Sequence, residues 1–86
     1  MSRSPHPLWT EVRRILWADW DPIGAVPEDE YDGYVWQVIA RVSRGESAEA
    51  IADYLDWASN VNMDCPQPRE RNLAFARRLA ELRMYR

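Results

Sequence analysis

The sequence predicts an all-α protein, a bundle of four short helices. Three observations carry that prediction. Apolar residues recur at spacings of three and four in four separate stretches. Glycine occurs only three times and β-branched runs are absent, which disfavours a sheet. Between the stretches lie segments holding Pro, Gly, Asn or Asp, the residues that punctuate helices.

The first helix is expected over about 8–20, after a loose tail at 1–6. Leu8, Trp9, Val12, Ile15, Leu16 and Trp20 form its apolar stripe, with Glu11, Arg13 and Arg14 opposite. Pro7 suits a first turn, where its missing N–H is harmless. Asp21-Pro22-Ile23-Gly24 then has the residues of a type I turn, with Asp21 placed to accept backbone hydrogen bonds.

A second helix is expected over 29–44, its acidic start favoured by the helix dipole and its end marked by Gly45. Tyr31, Val35, Val38, Ile39 and Val42 face inward, and Gly33 suggests the close approach of another helix. Ser47 is a natural N-cap for a third helix over 47–60, built on Ala48, Ile51, Ala52, Leu55 and Ala58, with Tyr54 and Trp57 beside that face. The fourth, over 69–84, uses Leu73, Phe75, Ala76, Leu79, Ala80 and Leu82. Connections this short make neighbouring helices antiparallel within a single domain, 7–86.

Composition narrows the function by exclusion. Of 86 residues, 47% are apolar and 29% charged, the balance of a soluble globular chain. No apolar run approaches the ~20 residues of a membrane span. The first twenty residues also lack a signal peptide's apolar stretch, so a cytoplasmic location is expected. Cys65 is the single cysteine and His6 the single histidine, so neither an internal disulfide nor a histidine-rich metal centre can form. His6 falls in the tail, and Cys65 has no partner for a nucleophilic dyad. Carboxylate pairs such as Asp53/Asp56 and Glu49/Asp53 have the spacing of a solvated helix face. No catalytic residue and no cofactor are expected; the domain is taken as non-enzymatic.

Charge is the most distinctive feature. Residues 19–64 carry eleven acids against Arg41 and Arg44, a balance of −9 within a chain of net charge −3. Six acids, Asp19, Asp21, Glu28, Asp29, Glu30 and Asp32, fall within fourteen residues that contain no basic side chain. They can cap helix ends, or they can steer a basic protein toward an aromatic anchor. The candidate partner-binding residues are therefore Trp20, Asp21, Glu28, Asp29, Glu30, Asp32 and Tyr34. Five tryptophans in so small a domain also leave surplus aromatics that could seal a homodimer. A third reading is a calcium loop at 19–30, in which Asp19, Asp21, Gly24 and Glu30 match slots of an EF-hand, although Ile23 does not. The C-terminal arginines suggest nucleic acid less well, because they scatter around their helix and the acidic centre would repel the same ligand.

Trp20-Asp21-Pro22-Ile23-Gly24, followed by Asp29-Glu30-Tyr31-Asp32-Gly33-Tyr34, resembles the YugE-like group of small bacterial helical proteins. The resemblance runs from about Ile15 to Leu55 and implies a small helical bundle with no established activity. The Trp-Asp-Pro-Ile-Gly stretch is also similar to those of some toxin-immunity proteins, which would imply an inhibitor of a basic toxin.

Overall fold

The four apolar stripes become four helices in the computed structural model, which describes residues 7–82. Helix α1 runs Trp9–Arg14 and continues directly as a π-helical segment, Ile15–Trp20. Helix α2 spans Asp32–Ser43. Helix α3 spans Ala48–Asp56 and also passes into π geometry, through Trp57–Asn62. Helix α4 spans Arg69–Glu81. No strand occurs among the described residues. The 1–6 tail and the end of the predicted fourth helix at 83–84 lie outside them.

Helix α1 packs chiefly on α2, and α3 on α4, so two helical hairpins share one core. That core holds Val12, Leu16, Trp20, Val35, Val38, Val42, Ile51, Leu55 and Leu79, all fully buried. These are the positions that spacings of three and four select. The Ser47 hydroxyl accepts the Ala50 N–H at 3.1 Å, the cap expected for α3.

Two boundaries differ from expectation. Helix α2 begins at Asp32, three residues late, because Glu30 N–H bonds the Pro27 carbonyl and Asp32 N–H the Asp29 carbonyl. These i to i+3 bonds wind a separate turn ahead of the helix. Helix α3 runs on to Asn62 because its last turn is wide: Met63 N–H reaches back five residues to the Ala58 carbonyl at 2.8 Å. In α1 the Asp21 N–H does the same to Leu16, at 2.9 Å. Gly33 marks no close approach, since a Cβ there would meet nothing within 4 Å.

The 21–31 connector is organised from within. Asp21 adopts a left-handed backbone (φ 31°), and its Oδ1 accepts the Gly24 N–H at 3.0 Å and the Tyr31 hydroxyl at 2.6 Å. The Tyr31 oxygen in turn accepts the Ile23 N–H at 3.1 Å, and Trp17 Nε1 donates to the Val26 carbonyl at 2.9 Å. Ala25 is also left-handed (φ 53°), a conformation that glycine adopts without a Cβ penalty. Ala25→Gly is therefore expected to stabilise the fold by about 0.5–1 kcal/mol, read from chemical denaturation midpoints. An unchanged or lower midpoint would show that Ala25 is unstrained.

Beneath the connector lies a buried polar junction. Asn72 of α4 accepts the Trp20 indole N–H at 2.8 Å and donates to Asp56 Oδ1 at 2.8 Å and to Ser59 Oγ at 3.3 Å. Ser59 Oγ donates to the Leu55 carbonyl at 2.8 Å. Among the described residues no buried side-chain nitrogen or oxygen lacks a partner. The wide ends of α1 and α3 are thus tied to α4 through one side chain.

Candidate functional site

The seven residues expected to meet a partner do not form one patch. Trp20 is fully buried, with its indole N–H committed to Asn72, so the expectation of a surface anchor there is corrected. Asp21 is half-buried and holds the connector through Gly24 and Tyr31, which makes it a turn-forming group. Asp32 forms a two-pronged ion pair with Arg13, at 2.8 and 3.4 Å. That pairing holds the Arg13 guanidinium above its ordinary pKa, chiefly through the hydrogen bond to Asp32.

Glu28, Asp29 and Glu30 are exposed and make no ion pair within the described residues. Their charges follow the connector along the rim of the molecule. Glu28 borders a shallow recess of about 240 Å³ beside Trp9 and Trp17. Glu30 borders a larger groove of about 890 Å³ between α2 and α3, where Tyr34 also lies.

Aromatic rings form the floor of this groove. Tyr34 and Tyr54 have centroids 6.4 Å apart, and Tyr54 stacks on Trp57 at 5.8 Å with 30° between planes. Trp57 remains 48% exposed. Arg41 places its guanidinium 4.1 Å over the Tyr54 ring, a cation–π contact. Burial pushes the Tyr54 hydroxyl up to about 12, with the Arg41 charge opposing. Asn62 donates to the Tyr34 hydroxyl at 2.5 Å. Three carboxylates, Glu30, Glu46 and Asp53, line the groove with Arg41; Glu46 is paired with Arg44 at 2.8 Å and Asp53 with Arg69 at 2.9 Å.

The wide turn of α3 helps to build this floor. Trp57 and Asn62 lie five residues apart and both line the groove. In a regular α-helix, at 3.6 residues per turn, they would diverge by well over a quarter turn. The i to i+5 geometry brings them to one side. Tyr54, Trp57, Gln37, Arg41, Glu46 and Asn62 are groove residues that the sequence did not mark as a binding surface. Tyr54 and Trp57 were visible there as aromatics flanking an apolar face, and nothing in the sequence paired them with α2.

The calcium-loop spacing is not realised as a site. Asp19 pairs with Arg78 at 3.0 Å and lies 3.8 Å from Arg14, while Asp21 turns to Tyr31. Among the described residues no three His, Cys, Asp or Glu side chains come together to hold a metal ion. Three arginines of α4, Arg69, Arg71 and Arg78, bond to the protein itself. Arg69 pairs with Asp53 and Asp56 at 2.9 and 2.6 Å, and Arg71 donates to the Trp20 and Asp19 carbonyls at 2.7 and 3.1 Å.

A second aromatic pair joins α1 to α2. Trp9 and Trp36 have centroids 4.8 Å apart, with Trp36 51% exposed. No helix among the described residues is long and apolar enough to cross a membrane. Comparison with protein-family models, curated proteins and solved structures gives no match.

Proposed function

We propose that this chain is a non-enzymatic protein-interaction domain that uses its acidic connector and the start of α2 to engage a basic partner. One observation carries the reading: Glu28, Asp29 and Glu30 stand exposed, without ion pairs in the described residues, and Glu30 borders a groove lined by Tyr34, Tyr54 and Trp57. Charge steers the encounter, and aromatic anchors supply most of the contact energy in such interfaces. The volume of the groove is also that of an ordinary recognition site, about 300–1,000 Å³. Within this proposal the chain is a cytoplasmic member of the YugE-like group and acts in an immunity-like manner on a basic toxin. A single free cysteine, Cys65, suits a reducing compartment.

Reversing charge at two rim positions tests the proposal. Asp29→Lys with Glu30→Lys is expected to weaken capture of a basic partner by about tenfold or more at low salt and to flatten the dependence of binding on salt, because the screened attraction is removed. Both side chains are exposed, so the thermal midpoint should hold. Binding that ignores both substitutions would refute the acidic-rim reading. Homodimerisation is the second reading, favoured by the Trp9–Trp36 pair, in which Trp36 is half exposed. Sedimentation that stays monomeric at high concentration would remove it.

A further inference from the structure

We infer that the groove between α2 and α3 receives an arginine side chain of the partner, bound by exchange with the domain's own Arg41. The inference rests on the reading above and names the chemistry that the basic partner presents. Arg41 already shows how a guanidinium sits there. It lies 4.1 Å over the Tyr54 ring, and its Nη1 donates to the Gln37 carbonyl and to Gln37 Oε1, both at 3.1 Å. These bonds are exposed, and the nearest carboxylate, Glu46, is 3.9 Å away. An incoming guanidinium therefore has to match these contacts and add to them before it displaces Arg41.

An incoming arginine would find more than Arg41 uses. Trp57 extends the aromatic surface beyond Tyr54 and is half exposed. Glu30 adds a carboxylate that makes no ion pair among the described residues and matches the fork of a guanidinium, while Asp53 beside the groove is paired with Arg69. Other occupants fit less well. An anion would meet the carboxylates of the groove, and an apolar ligand would take Glu30 out of water without an ion pair among the described residues. A lysine ammonium can approach the carboxylates, but it lacks the planar face that stacks on Tyr54 and Trp57.

Titration calorimetry of the full chain with hexa-arginine and hexa-lysine peptides at low salt tests the inference. The arginine peptide is expected to bind about tenfold tighter, the size of one well-placed cation–π contact. Trp57→Ala should cut that preference to about twofold in a variant that still folds, with a thermal midpoint lowered by the lost stacking on Tyr54. Arg41→Gln should tighten the arginine peptide several-fold and the lysine peptide less, by removing the internal competitor. Equal affinities for the two peptides, insensitive to Trp57→Ala, would overturn the arginine receptor and leave the basic-partner reading standing. Arg41→Gln that leaves the arginine peptide unimproved would overturn the exchange. Failure of both peptides to bind would overturn the inference together with the reading beneath it.

Discussion

Asn72→Ala is expected to destabilise the domain by about 3 kcal/mol, the largest single-residue effect proposed for its polar groups. The truncation leaves the Trp20 indole N–H buried with no acceptor and removes a donor from Asp56. Each orphaned buried group costs roughly 1–3 kcal/mol, and the vacated volume adds a cavity term. A chain of this length holds only about 4–13 kcal/mol in total, so the loss is a large share of its stability. In thermal unfolding the same change corresponds to a fall in Tm of about 12–24 °C. Ser59→Ala is the internal control and should cost about 1 kcal/mol, because Asn72 keeps its stronger bonds to Trp20 and Asp56. If the two variants proved equally mild, Asn72 would not be the junction of α1, α3 and α4.

Asp21→Ala is expected to cost about 2–3 kcal/mol, combining a lost charged acceptor with alanine in a left-handed backbone. Asp21→Asn should cost less, since asparagine tolerates that backbone and keeps an acceptor for the Gly24 N–H. The pair also has a signature in alkaline solution. Burial, aided by the hydrogen bond to Asp21, pushes the Tyr31 hydroxyl from 10.0 up to about 12. With the folded value above the unfolded one, the protonated hydroxyl stabilises the fold below pH ~10, and that contribution fades as pH rises through ~12. The denaturation midpoint should therefore fall across this window, where the absence of lysine removes the usual competing titration. Tyr54 titrates in the same direction, so Tyr54→Phe separates the two. Within a Tyr54→Phe background, Tyr31→Phe should flatten most of the remaining decline. A decline that persists undiminished would show that Tyr31 is not coupled to folding.

What the sequence could and could not convey follows from the range of each interaction. The helices were legible because burial of Val12, Leu16, Val35, Val38, Ile51, Leu55 and Leu79 repeats at helical intervals within single segments. Ser47 was legible as a cap because its bond to Ala50 is three residues long. Trp20 was misplaced because an indole beside acids looks like a surface anchor, whereas its hydrogen-bond partner lies 52 residues away. The wide turns left no mark on the apolar pattern, so the end of α3 and the position of Asn62 were lost with them. Of the candidate site, the rim acids and Tyr34 were legible and the floor was not. Tyr54 and Trp57 meet Tyr34 only after α3 is laid against α2. Asp21 and Tyr31, quoted for a family resemblance, are joined by a 2.6 Å hydrogen bond, so the two halves of that motif hold one turn.

Helix α4 supplies Asn72, Arg69, Arg71 and Arg78, and through them the polar links that bind it to α1 and α3. On a ribosome, a nascent chain that has reached residue 68 has none of them. The indole of Trp20 and the last carbonyls of α1 then still need water, and the apolar side of α3 has no lid. Synthesis therefore has to pass the whole of α4 before the domain can lock shut, and folding is expected to be late and all-or-none.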